Sequence, residues 1–233
     1  MTDSYVFPPE VQASVAVRGS RQRYAVARIF CVGRNYAAHA REMGSDPDRE
    51  PPFYFSKPAN ALVPSGASIA YPPGTSNFHY EMELVIALGA PVFKVAPEAA
   101  EAAIWGYAAG LDMTRRDLQN AAKANGRPWD IGKGFENSAV ITELVPASEI
   151  GHPKAGAITL AVNGVEKQRG DLADMIWSVP EIVANLSQYY HLGPGDLIYT
   201  GTPEGVGAVK PGDVITGVIE GLDNLSLTIK DPD

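Results

Sequence analysis

The 233-residue chain has a single cysteine, Cys31, so it can form no disulfide within itself and cannot build a zinc site from thiolates. It lacks an apolar run long enough to cross a bilayer. Its opening, MTDSYVFPPE, lacks the basic-then-apolar pattern of a secretory signal. Positive charge is scarce: 19 Lys and Arg against 27 Asp and Glu leave a formal net charge of −8. That balance argues against nucleic acid or an anionic membrane as partner and fits a cytoplasmic protein that handles small molecules. Low-complexity tracts are missing too. The 23 Gly and 19 Pro fall at the ends of candidate elements, which implies many short strands and tight connections.

What is present reads as one β-rich α+β domain over residues 26–233, preceded by an arm over 1–25. ARIFCVG (27–33), FYFSKP, ASIAYPP, the stretch 80–88, GYAAGLDM (106–113), GDLIYTGTP, DVITGVIEG and LSLTIK all have strand character. Asn163-Gly164 between two apolar runs predicts a hairpin. Helices are expected in four places. Asn35 would cap the first, through YAAHAREMG, and PEAAEAAIW (97–105) would form the second. TRRDLQNAAKANG (114–126) would start at a Thr114 cap and stop at Gly126. VPEIVANLSQYYHL (179–192) would open on a Ser178–Glu181 capping box and close at Gly193.

NFHYEMELVIALG (77–89) carries an anomaly: Glu81 and Glu83 stand two apart on a buried-looking strand, so they share a face. Water on an edge strand would satisfy them, and a divalent cation would do so more directly. From this stretch alone water is slightly favoured. His39 and Glu42 are three apart on a short helix, an arrangement that suits a general base and its orienting carboxylate but also an ordinary surface pair. Asp112 ends an apolar strand, as a ligand group or as a cap. Arg116 and Gln119 share a helix face and could reach the same place, Arg being suited to a carboxylate. Lys133 lies between two glycines that would let a ligand approach closely. Thr202 offers a hydroxyl in a glycine-rich turn without phosphate-loop spacing. His79, His152 and His191 read as structural.

Taken in order, CVGRNYAAHAREMG, HYEMEL, GLDMTRRDLQ, GRPWDIGKGF and IYTGTPEGVG resemble the fumarylacetoacetate hydrolase family, from Ile29 to Lys230. The resemblance implies a mixed β-sandwich roll and a homodimer. It implies Glu81, Glu83 and Asp112 as metal ligands, His39 and Glu42 as the catalytic pair, Lys133 as the catalytic lysine, and Arg116, Gln119 and Thr202 as substrate contacts. It also implies a lid over residues 39–52. The large fumarylacetoacetases carry a separate N-terminal domain and an acidic ligand where this chain has Val32. Both differences align the sequence with the smaller, pyruvate-forming acylpyruvases and fumarylpyruvate hydrolases.

An all-carboxylate ligand set favours Mg²⁺ or Mn²⁺ over Zn²⁺. The expected partner is then a small 2-oxo acid, and the expected reaction is hydrolysis of a 2,4-diketo acid to pyruvate and a carboxylic acid. Fumarylpyruvate is the substrate the wording of the motifs resembles most. Arg34, and Lys57 in the FSKP loop, are cations that could meet its far carboxylate. Decarboxylation or tautomerisation of oxaloacetate is the alternative with the same enolate chemistry, and metal-dependent binding without turnover is the alternative of another class.

Overall fold

The computed structural model describes residues 4–42 and 50–233. Its largest sheet orders the strands Phe53–Lys57, Arg28–Gly33, Asp196–Tyr199, Met82–Leu88, Ile104–Asp112, Ala139–Ile141 and Leu62–Pro64, with Val145–Pro146 on one end of Ile104–Asp112. The sheet is mixed: Asp196–Tyr199 runs parallel to Arg28–Gly33, and Ala139–Ile141 runs parallel to Leu62–Pro64. A second sheet orders Val165–Asp171, Ala157–Val162, Val214–Ile219, Leu225–Lys230 and Ser68–Ala70. A third, small sheet joins Thr114–Arg115, Phe78–Tyr80 and Gly207–Val209.

Side-chain alternation on Met82–Leu88 explains the layering. Leu84, Ile86 and Leu88 enter one core with Ile158, Leu160, Ile215 and Leu227 of the second sheet. Val85 and Ala87 enter another, with Ile29, Cys31, Ala108 and Tyr199. Both faces are therefore covered, and the strand is apolar throughout as sheets buried on two sides require. Water does not reach Glu83, which is 2% exposed, so the wet-edge explanation of the paired glutamates does not hold. The N-terminal stretch forms a hairpin of Ser14–Ala16 and Arg23–Ala25, whose Val15 is buried in the second of these cores.

The strands expected from composition are present, and Asn163 and Gly164 take the positive φ values, 51° and 77°, of a tight hairpin turn. Several helix ends differ from expectation. The first described helical residues are Ala37–Glu42, and the Asn35 side chain bonds Trp177 and the Thr200 carbonyl instead of capping them. The last two residues of that expected helix, 43 and 44, lie outside the described residues, as do 43–49 of the expected lid. Pro97–Ala100 passes through a 3₁₀ turn, and Ile104 already pairs in a strand because its buried side chain belongs to the core. The next helix is Arg116–Ala124, with Arg115 at its N-cap position. Thr114 is in a strand, its hydroxyl turned to Asp112 and Lys133. The helix Val179–Leu186 does open on Ser178, whose N–H donates to Glu181 at 3.0 Å, but ends seven residues before Gly193. Ser187 stops it by turning its hydroxyl back to the Ala184 carbonyl.

Candidate active site

Two strand ends and two short helices bring the site together. Glu81 immediately precedes the strand Met82–Leu88 and Glu83 is its second residue, Asp112 ends the neighbouring strand, and Asp112 N–H donates to the Glu81 carbonyl at 2.9 Å. All three carboxylates are buried, and one oxygen from each lies within 4.8 Å of the others. Lys133, on the helical turn Asp130–Lys133, reaches Glu81 Oε2 at 2.7 Å, Asp112 Oδ2 at 2.6 Å and the Thr114 hydroxyl at 2.7 Å. Arg116 donates to the other Glu81 oxygen and to Gln119.

These contacts set the protonation states. Burial works to raise the Glu81 pKa, but the Lys133 ammonium and Arg116 guanidinium overcome it and hold the group well below the usual carboxylate range. Burial likewise opposes the charge on Lys133, yet Asp112 and Glu81 raise its pKa and keep it an ammonium. Glu83 is different. It accepts a hydrogen bond from the Gly201 N–H, at 2.8 Å, and has no ion pair among the described residues. Burial first, and the charges of Asp112 and Glu81 next, push its pKa well up. Gly201 sits at φ +95°, and a Cβ there would come within 2.7 Å of Asn35 Cβ, so this donor needs glycine.

The cluster fits a divalent cation on its own chemistry. Among the described residues Glu83 has no ion-pair partner, and Asp112 Oδ1 accepts no hydrogen bond although Lys57 Nζ stands 2.8 Å away. Hard oxygen donors and no imidazole or thiolate describe a Mg²⁺- or Mn²⁺-type site.

A narrow cleft opens above Glu81 and Glu83. Val32, Arg34, His39, Phe53, Phe55, Arg116, Gln119, Lys133 and Thr202 help to line it. His39 is buried, and its Nδ1 lies 3.1 Å from Glu42 Oε2. Burial tends to raise the Glu42 pKa, but the bonds from His39 and the Gly205 N–H lower it below the ordinary value. An ionised Glu42 only accepts, so it selects the tautomer of a neutral imidazole in which Nδ1 carries the proton and Nε2 the lone pair. Thr202 Oγ1 accepts from Gln168 Nε2 at 2.9 Å.

Ten of the eleven residues singled out from the sequence thus meet at one site. Lys57 is the exception in role. Its ammonium is turned inward on the carbonyls of Met113 and Lys133 and on Asp112, so it is a fixed counter-ion and not a receptor for a substrate's far carboxylate. It is buried, donates to two backbone carbonyls and forms an ion pair with Asp112. Three residues were missed. Thr114 anchors Lys133. Gln168, 1% exposed, ties Thr202 and the Pro203 carbonyl to the Met82 N–H. His79 accepts the longer 3.4 Å contact from Arg116 Nε. Only the proximity of His79 to Glu81 in sequence could have suggested it.

Removing the Lys133 charge tests this electrostatic account. Lys133→Met would leave Glu81 and Asp112 short of a buried cation, and should cost about 3–5 kcal/mol of stability without metal. Mn²⁺ should recover more of that loss in the variant than it adds to the wild type, because it supplies the missing charge. Thermal unfolding in chelator and in Mn²⁺ measures both; equal metal-induced shifts would contradict the account.

The family model for the fumarylacetoacetate hydrolase C-terminal domain matches residues 28–230. The chain belongs to this family. It is 57% identical over 189 residues to a fumarylpyruvate hydrolase of a Ralstonia species, covering 80% of this chain and 98% of that one. It is 42% identical over 205 residues to a mitochondrial oxaloacetate tautomerase of Homo sapiens, covering 88% and 92% respectively. The solved structure of fumarylpyruvate hydrolase from Pseudomonas aeruginosa in complex with Mn²⁺ and pyruvate superposes with a TM-score of 0.95 at 53% identity, covering 98% of this chain and all of that one. The β-rich fold expected from the resemblance is the fold observed.

Proposed function

We propose that the protein hydrolyses fumarylpyruvate to fumarate and pyruvate. The observation that carries this reading is His39, oriented by Glu42, lining the same cavity as Glu81 and Glu83 of the carboxylate cluster. Binding alone would need no base. The Ralstonia and Pseudomonas relatives support the same substrate.

Glu81, Glu83 and Asp112 would hold the ion, which we take to be Mg²⁺ or Mn²⁺. When bound, it supplies the Lewis acidity that holds a 2-oxo acid and lowers the energy of a departing enolate's charge. The remaining work falls to this chain's side chains. His39 Nε2 takes a proton from water, and the oxygen of that water bonds to the carbonyl carbon of the fumaryl group. Glu42 keeps the ring in the required tautomer and stabilises the imidazolium. Lys133, held protonated, favours the oxyanion of the tetrahedral intermediate. The bond between that carbon and the neighbouring methylene then breaks. Fumarate leaves with the water oxygen, and the proton on His39 returns to the methylene carbon to complete pyruvate. Arg116, Gln119 and Thr202 orient the substrate from the cavity wall. The homodimer and cytoplasmic location implied by the resemblance and composition belong to this proposal as well.

The competing reading is oxaloacetate tautomerisation, named for the human relative. It needs no activated water. Comparing the two substrates in one assay, with fumarate and pyruvate both quantified, separates the readings.

A further inference from the structure

Two arginines line the cleft, and they differ in what they hold. Arg116 is committed to Glu81 and Gln119. Arg34 is half-buried, and its guanidinium lies over the Phe53 ring, 5.2 Å from the centroid. Among the described residues that guanidinium has no hydrogen bond and no ion pair. Its planar fork of N–H donors, the shape that matches a carboxylate, is therefore unspent.

The fold keeps Arg34 there against a local preference. Its φ is +57°, in the left-handed region that residues with a side chain rarely enter. Such a conformation persists where the surroundings fix it, and it is concentrated at ligand sites. The lock here is the next residue. Asn35 is fully buried, donates to the carbonyls of Trp177 and Thr200, and accepts from the Trp177 N–H. The ring under the guanidinium is fixed as well. Phe53 pairs with Gly33 across the sheet, and a Cβ at position 33 would collide with that ring. Trp129 meets Phe53 edge-on at 5.2 Å and packs on Phe55 at 5.7 Å.

Glu81 and Glu83 belong to the cleft alone, whereas Arg34, Phe53, Phe55 and Trp129 also border an outer pocket that Arg127 lines. The aromatic wall thus leads outward from the carboxylates, with Arg34 on it. Fumarylpyruvate carries a carboxylate at each end of a seven-carbon chain. With its 2-oxo acid end at the glutamates, its flat conjugated end runs along that wall. Lys57, the other cation the sequence offers for the far carboxylate, is turned inward.

We infer that Arg34 receives the terminal carboxylate of the acyl chain and selects 2,4-diketo acids whose acyl group ends in a carboxylate. This rests on the hydrolase reading. The bond is charge-assisted, and the Phe53 ring holds the fork in place before substrate arrives.

The test compares kcat/KM for fumarylpyruvate and for crotonoylpyruvate, which has a methyl group in place of the far carboxylate. The proteins are the wild type, Arg34→Met, Arg34→Lys and Arg127→Met. Arg34→Met should reduce the preference for fumarylpyruvate roughly 10- to 100-fold, chiefly through KM. Its cleavage of crotonoylpyruvate should persist, which also reports that the variant is folded. Arg34→Lys keeps the charge without the fork and should retain part of the preference. Arg127→Met removes an exposed charge from the outer pocket and should change the preference little, since salt screens it. An unchanged preference in Arg34→Met overturns the inference, and so does an equal loss in Arg127→Met, which would make the effect one of general charge. Wild-type protein that cleaves both substrates equally well overturns this inference alone. Wild-type protein that cleaves neither overturns the hydrolase reading and this inference with it.

Discussion

Stripping divalent metal from the protein should abolish turnover, and Mg²⁺ or Mn²⁺ should restore it. Glu83→Ala should stay inactive after the same treatment. The expectation follows from which charges the fold leaves unbalanced. Glu81 is met by Lys133 and Arg116, and Asp112 by Lys133 and Lys57. Glu83 is met by one backbone N–H. A carboxylate so buried, beside two others, is costly unless it is neutralised by a proton or a cation. Ligand binding to the folded state adds stability according to its affinity. Mn²⁺ should therefore raise the unfolding temperature of the wild type, and much of that rise should vanish in Glu83→Ala. Full activity of Glu83→Ala after exhaustive chelation would remove this cluster from the mechanism.

His39→Ala should lower kcat by about 100- to 10,000-fold, the range for loss of a positioned general base. KM should change little, since Arg116, Gln119 and Thr202 are untouched. Glu42→Gln should produce a smaller loss in the same direction. An amide at position 42 can still accept from Nδ1–H through its oxygen, but it no longer carries the charge that stabilises an imidazolium. Steady-state kinetics on both variants decide the matter. A raised KM at constant kcat would make the pair a binding element.

Much of this site was legible because its polar residues break local patterns. Two glutamates in an apolar strand, and an aspartate ending another, conflict with the burial their neighbours demand. Such conflicts are where function is expected. His39 and Glu42 share a helix face by spacing alone. The second layer was not legible. Gln168 lies in VEKQRG, which reads as a polar hairpin strand, and only the return of the 199–207 turn over that strand buries it against Thr202. Lys57 sits at a strand end, and nothing local tells whether its ammonium faces solvent or the two carbonyls and the Asp112 carboxylate that long-range contacts supply. Thr114 has the chemistry of a cap, and tertiary contact with Lys133 overrides it.

The most direct measurement of the central claim is kcat/KM of the Mn²⁺-loaded protein for fumarylpyruvate and for oxaloacetate, with products quantified. The account predicts fumarate and pyruvate released in equal amounts, at a kcat/KM above that for any turnover of oxaloacetate. Intact fumarylpyruvate alongside rapid interconversion or decarboxylation of oxaloacetate would contradict it.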